Sequence, residues 1–114
     1  MLKWNENEVA DYLGAQPSVM DDGFSHHFEV RRDNLVLCFS VFQHNADVQL
    51  ELFRGGDSQP IVAISALGCR RIRCETRDLE RMVEVEYVPD CEHGGGTVPK
   101  TIRIFTQPFL RVCV

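Results

Sequence analysis

No run of apolar residues in this sequence approaches the roughly 18 that a membrane-spanning helix needs, so we expect no membrane contact. The first six residues also lack the basic and then apolar order of a secretory signal. Both absences predict a cytoplasmic protein. The five cysteines agree with a reducing compartment, because an odd number leaves at least one thiol unpaired.

Motifs for the common kinds of catalysis and cofactor binding are absent as well. The sequence has no G-x-S-x-G nucleophile turn, no P-loop and no G-x-G-x-x-G fingerprint. Its glycine clusters at residues 55–56 and 94–96 are more typical of turns. We therefore expect no cofactor and favour a non-enzymatic role, while leaving an enzyme open.

The composition is that of one globular domain spanning residues 1–114. Hydrophobic residues make up 44% of the chain and charged residues 25%, which argues against disorder. A chain of this length buries roughly two-thirds of the surface that its unfolded form exposes. It can therefore build a core without a metal or a disulfide.

The N-terminal segment predicts one short helix. Asn5 can cap its start, and Glu8 three residues later gives the spacing of a capping box. Trp4 and Val9 have the spacing of a hydrophobic staple, and Gly14 is a natural stop. We predict about two turns that dock on the rest of the domain, since so short a helix is marginal alone.

Apolar and polar residues alternate after residue 23, which predicts strands, whereas residues 18–23 are predicted as loop. Leu35 to Phe42 is apolar on both faces and is the expected central strand, and Asp33-Asn34 before it suits a tight hairpin turn. We predict a mainly β domain (α+β by count). It is an antiparallel meander sandwich or a partly open barrel of about seven or eight strands, with the short helix at its N-terminus.

Charge is divided unevenly along the chain, whose formal net charge is -5. Residues 1–69 carry ten acidic and four basic side chains. An acidic protein repels nucleic acid and anionic membranes and attracts basic proteins, so we expect a basic protein partner and no nucleic acid. The candidate partner-binding residues are the N-terminal acids Glu6, Glu8, Asp11, Asp21 and Asp22.

An arginine cluster interrupts this acidic background between residues 70 and 81. Arginine forks bind carboxylates or phosphates in a bidentate manner. The candidate anion-binding residues are therefore Arg70, Arg71, Arg73 and Arg77. Acidic residues interspersed with them favour the alternative, in which the arginines pair internally on a solvated face.

A metal site is the remaining chemical possibility. Cys69, Cys74, Cys91 and His93 are residue types that bind zinc, and Cys91 and His93 lie in a glycine-rich loop. The spacing argues against zinc, because Cys69 and Cys74 are expected on opposite faces of one strand and no C-x-x-C is present. We expect unpaired thiols and no metal.

Three functions follow from these patterns, and no motif identifies a family. We favour a non-enzymatic binding protein of the bacterial immunity or inhibitor type, which covers a basic enzyme with an acidic surface. The alternatives are a small-molecule-binding β-barrel and an enzyme, metal or thiol protein built around Cys91, His93 and either His26 or His27. Self-association is left open. The phenylalanines that could line a barrel cavity are Phe24, Phe28, Phe39, Phe53 and Phe105.

Overall fold

The structure, a computed structural model, describes residues 2–88 and 98–114, which form a β-sandwich with one short helix. All neighbouring strands are antiparallel, in one sheet of order β1-β2-β3-β4-β5 and one of order β6-β7-β8-β9. This confirms the predicted fold class and selects the sandwich. The elements are α1 (Glu6–Leu13), β1 (Ser18–Met20), β2 (Ser25–Arg32), β3 (Leu35–Phe42), β4 (Asp47–Arg54), β5 (Val62–Ala66), β6 (Cys69–Arg77), β7 (Glu80–Tyr87), β8 (Lys100–Phe105) and β9 (Arg111–Cys113).

Helix α1 has the start and the end that its sequence predicts. The Asn5 side chain accepts a hydrogen bond from the backbone N–H of Glu8, and Gly14 ends the helix at a φ of 69°. Glycine suits that left-handed position because it has no Cβ to clash. The helix docks through three buried side chains, those of Val9, Ala10 and Leu13.

The interior lies between the two sheets, with β3 at the centre of the first sheet as predicted. Leu37, Phe39 and Val41 of this strand are fully buried. Its other face is only half-buried, because the side chains of β2 and β4 flank it without covering it. The second sheet contributes its own buried side chains, Val83, Val85, Ile102 and Ile104.

Two strand connections show how local chemistry sets the register. Asp33 and Asn34 join β2 to β3 with φ values of 52° and 62°, which confirms the predicted tight turn. Asp78 and Leu79 join β6 to β7 in the same region of φ, at 47° and 70°. A turn of two residues therefore joins β6 to β7.

One strand was not predicted. Residues 18–23, expected as loop, form the three-residue strand β1 and a 3-10 turn at Asp21–Gly23. β1 pairs with the start of β2, where Ser18 lies opposite His27 and Met20 opposite Ser25. Three residues are too few to show an alternation pattern, so the pairing partner decides this strand. The described residues consequently contain nine strands.

Each sheet is built from one contiguous part of the chain, so the uneven charge of the sequence becomes a difference between surfaces. Strands β6 to β9 carry eight basic and four acidic side chains. Seven of the ten acids in residues 1–69 lie on α1 or in connections rather than in strands.

Within residues 2–88 and 98–114, no helix is both long enough and apolar enough to cross a membrane.

Substituting the helix cap tests the docking of α1. Asn5→Ala is expected to lower the free energy of unfolding by about 1 kcal/mol, because the Glu8 N–H loses its acceptor. The control Asn7→Ala lies in the same helical turn and is exposed; it should leave stability unchanged or slightly raised, since alanine is the better helix former. Equal losses in urea unfolding of the two variants would contradict the capping role.

Candidate functional site

The acids of α1 lie on one short helix, and two of them are held by internal partners. Glu6 Oε2 lies 3.2 Å from His26 Nε2, and Asp11 Oδ2 accepts a hydrogen bond of 2.7 Å from Arg81. The Glu8 side chain is exposed. The helix acids therefore help to fix α1 to β2 and β7, besides contributing negative charge to the surface.

The other two predicted contact acids lie in the 3-10 turn between β1 and β2. Asp22 is exposed and has a φ of 54°. The side chain of Asp21 lies outside what the structure describes. This turn is at one end of the first sheet, so the five acids are divided between two elements and do not form one continuous patch on α1.

His26 has a structural position beneath the start of α1. Its side chain is 6% exposed and lies edge-on to the ring of Trp4, with 5.1 Å between ring centroids. Its Nε2 contacts Glu6, and its Nδ1 has no hydrogen-bond partner among the described residues. The ring thus joins the helix to β2.

The arginine cluster forms ion pairs across the outer face of the second sheet. Cross-strand register places Arg71 opposite Glu86 and Arg73 opposite Glu84. The closest N–O distances in these pairs are 2.9 and 2.7 Å, and Arg77 contacts Glu75 at 2.9 Å. Three of the four candidate anion-binding arginines thus have internal partners, which supports the alternative interpretation. Anion binding by Arg70, Arg71, Arg73 and Arg77 stays a prediction.

Glu84 is the buried centre of this outer face. Its side chain is 3% exposed and accepts hydrogen bonds from Arg73 on one side, at 2.8 Å, and from Arg103 on the other, at 3.0 Å. Burial alone would raise the pKa of Glu84, but the hydrogen bonds from Arg103 and Arg73, with the charges of both arginines, hold the pKa below its ordinary value. This group of two arginines and one carboxylate therefore keeps a net positive charge.

The cysteines that the structure describes are placed for packing. A β-bulge between Cys69 and Arg71 shifts the register, so Cys69 and Cys74 both contact the core. The prediction that they point to opposite faces is wrong for this reason. Burial raises the pKa of both thiols to about 12, and the neighbouring Glu8 carboxylate adds to the effect at Cys74. Such thiols stay protonated at neutral pH.

The predicted metal and thiol chemistry involves residues that the structure does not reach. Cys91 and His93 lie outside the described residues. Among residues 2–88 and 98–114, no group of three or more His, Cys, Asp or Glu side chains is arranged to hold a metal ion. The Cys91 and His93 hypothesis stays a prediction.

The phenylalanines proposed to line a barrel cavity are spread over different surfaces. Phe28 and Phe39 are buried in the sandwich core, with ring centroids 6.0 Å apart. Phe24 is 53% exposed, and Phe105 lies beneath the Arg111 guanidinium on the outer face of the second sheet. Phe53 lies on the outer face of the first sheet. These five side chains therefore do not surround one ligand.

A cluster of exposed apolar and aromatic side chains lies at one end of the first sheet. We call it the aromatic end and define it by Met20, Phe24, Phe42 and His44. Met20 is 55% exposed and Phe24 53%. The rings of Phe24 and His44 are in contact, with centroids 4.3 Å apart and planes tilted by 44°. Phe42 is half-buried and is the last residue of β3, on the same end of the sheet.

Hydrogen bonds fix the two turns that carry this cluster. The Gln43 side chain donates to the carbonyl of Gly23 at 3.0 Å, which joins the β3–β4 turn to the 3-10 turn. Trp4 donates from Nε1 to the Gln43 side-chain oxygen at 3.3 Å. Phe24 follows Gly23 and His44 follows Gln43, so these hydrogen bonds fix the backbone beside both rings in the unbound protein.

His27 supports the same end from the outer face of the sheet. Its Nδ1 lies 2.8 Å from Ser40 Oγ and its Nε2 lies 3.1 Å from Ser25 Oγ. The ring packs edge-on against Phe42, with 5.8 Å between centroids. One nitrogen is engaged by Ser40 on the neighbouring strand β3 and the other by Ser25 on β2 itself. Among the described residues no carboxylate hydrogen-bonds the ring, so the arrangement suits support of the sheet better than activation of a nucleophile.

Comparisons with known proteins extend the description of the fold. No family model matches the chain, and no curated protein matches it. A chain from the contact-dependent growth inhibition toxin–immunity protein complex of Klebsiella pneumoniae 342 is similar in structure, with a TM-score of 0.80 and 16% sequence identity. The two chains share a fold. The similarity covers 97% of this chain and 93% of that chain, so it includes both sheets and the helix.

Substituting Glu84 tests the ion-pair face of the second sheet. Glu84→Gln should lower the free energy of unfolding at pH 7 by about 2 kcal/mol, because two arginines lose their shared carboxylate. The control Glu29→Gln removes an exposed partner of Arg31 and should change stability by less than about 0.5 kcal/mol.

Acidification should reduce the difference in the free energy of unfolding between Glu84→Gln and the wild type. The folded pKa of Glu84 lies below the unfolded value, so its stabilisation is complete above the unfolded pKa and is lost as pH falls through the folded pKa. Urea unfolding between pH 7 and pH 3 measures this. A difference that stays constant down to pH 3 would show that the Glu84 charge does not stabilise the fold.

Proposed function

We propose that this chain is an immunity-type protein, which binds a toxin protein and blocks its activity. The observation that carries the proposal is the structural similarity, at a TM-score of 0.80 over 97% of the chain, to a chain from a complex between a growth-inhibition toxin and an immunity protein. The proposed partner is a basic toxin, and the proposed location is the cytoplasm, where a toxin directed at intracellular targets must be blocked.

The chemistry of the surface supports a protein partner. The net charge is -5, and the exposed acids Glu8 and Asp22 lie on α1 and on the 3-10 turn. Acidic groups accelerate association with a basic protein and disfavour other acidic partners. We therefore retain Glu6, Glu8, Asp11, Asp21 and Asp22 as proposed contributors to the attraction, with Glu6 and Asp11 keeping their contacts to His26 and Arg81.

Co-expression with the protein encoded by the adjacent gene tests this function. If that protein is the toxin, its expression alone should stop growth, and co-expression with this chain should restore growth. The purified pair should form a one-to-one complex measurable by calorimetry, since an inhibitor of this kind acts by stoichiometric binding.

Two results would contradict the proposed function. One is that the adjacent-gene protein neither binds this chain nor is neutralised by it. The other is that this chain alone stops growth, which would assign it to the toxin side of such a pair. A matched control is the same chain carrying Asn7→Ala, which changes an exposed, uncharged side chain between two of the proposed contact acids; because no charge is altered, it should protect as well as the wild type.

A further inference from the structure

We infer that the aromatic end of the first sheet is the surface that binds the partner, and that it fits a basic protein segment with an apolar or aromatic side chain among its lysines and arginines. The inference rests on the proposed function and adds the contact surface and its chemistry. It concerns Met20, Phe24, Phe42 and His44, none of which the sequence indicated as a partner-binding residue.

The first argument is exposure of apolar area in one place. Met20 and Phe24 each leave more than half of their surface in water, only four residues apart. Aromatic side chains and methionine are enriched in protein interfaces. Such residues cluster in the few contacts that carry most of the binding energy.

The second argument is preorganisation. The Phe24 ring packs against the His44 ring, and the turns that carry both rings are joined by the hydrogen bond from Gln43 to Gly23. Phe42 is supported by His27, which two serines hold in place. A partner therefore loses little binding energy to ordering this surface.

The third argument is charge. The two segments that build the aromatic end, residues 18–28 and 40–48, contain three aspartates and neither lysine nor arginine. The exposed basic residues Lys3 and Arg70 belong to other segments, next to Trp4 and Cys69, which hydrogen-bond the β3–β4 turn. Asp22 is exposed in the 3-10 turn, and Asp47 lies directly opposite Phe42 in the register of β3 and β4. An apolar centre with an acidic border is complementary to an apolar side chain flanked by basic ones. Arginine and lysine also bind favourably over aromatic faces.

Two other surfaces are weaker candidates. The outer face of the second sheet is occupied by its own ion pairs, among them Arg73 with Glu84. The opposite end of the sandwich exposes Leu79, at 90%, and Phe109, at 64%. At that end both signs alternate within five residues, because Asp78 and Glu80 lie between Arg77 and Arg81.

Matched phenylalanine variants test the position of the contact. Phe24→Ala should weaken binding of the adjacent-gene toxin about tenfold or more, as expected for a central aromatic contact. Phe109→Ala removes a somewhat more exposed ring from the opposite end and should change the dissociation constant by less than about twofold. Thermal unfolding of both variants confirms that the fold is kept.

Matched charge variants test the chemistry of the partner. Met20→Lys and Met20→Glu alter the same exposed side chain and differ mainly in the sign of the charge. A basic partner should bind Met20→Glu at least about fivefold more tightly than Met20→Lys at low ionic strength, and the ratio should shrink as salt is added.

Asp22→Asn should lower the association rate about threefold. The control Asp33→Asn lies in a turn with a similar φ at the other end of the sheet and should leave the association rate unchanged.

The outcomes separate the inference from the function on which it rests. If the wild type binds and protects, and Phe24→Ala binds as tightly as the wild type, the surface is wrong and the function stands. If Phe109→Ala is the variant that loses binding, the contact lies at the opposite end. Preferred binding of Met20→Lys would overturn the basic partner. If the wild type itself does not bind, the function fails and the inference fails with it.

Discussion

Alternating apolar side chains from the two sheets meet across one interior, and the rest of the molecule depends on that contact because neither sheet is stable in water with such a face exposed. Phe39 and Val41 of β3 and Val85 and Ile104 of the second sheet are fully buried there. Burying a side chain of this size contributes roughly 1.5–3 kcal/mol relative to leaving it exposed. Period-two alternation then assigns every intervening residue to an outer face, where polar and charged groups can stay solvated.

The division of the chain into two contiguous sheets gives those outer faces different chemistry. The second sheet carries arginines and glutamates that satisfy one another, with Glu84 held between Arg73 and Arg103. One end of the first sheet carries aromatic and apolar side chains bordered by aspartates. The two segments that build this end, residues 18–28 and 40–48, contain neither lysine nor arginine. Charged groups that already pair with one another contribute less binding free energy to a partner than apolar groups that are still exposed. This contrast is the physical basis for placing the proposed toxin contact on the first sheet.

Local signals in the sequence were sufficient for the helix, the central strand and the tight turn at Asp33 and Asn34. Each depends on residues within a few positions of one another. Strand β1 and the bulge at Cys69 depend on the pairing partner and were not predictable in the same way. The internal pairing of the arginines was indicated by the interspersed acids, because cross-strand register on one sheet face brings alternating residues together.

The aromatic end could not be found from the sequence. Phe24 continues the alternation of His26 and Phe28, so its pattern predicts a core residue, whereas the structure leaves it half-exposed at the sheet end. His44 lies twenty positions further along the chain and reaches Phe24 only through the register of β2 and β3. The charge pattern did identify Asp22 beside this end, although it grouped that residue with the acids of α1.

Amide hydrogen exchange of this chain, alone and bound to the adjacent-gene toxin, tests the central claim most directly. The turns at residues 21–24 and 43–46 carry the aromatic end, and their amides should exchange more slowly in the complex because the partner covers them. The turns at residues 78–79 and 107–109, at the opposite end, should exchange at the same rate in both states. Slowed exchange at residues 78–79 and 107–109, with no change at residues 21–24 and 43–46, would contradict the account.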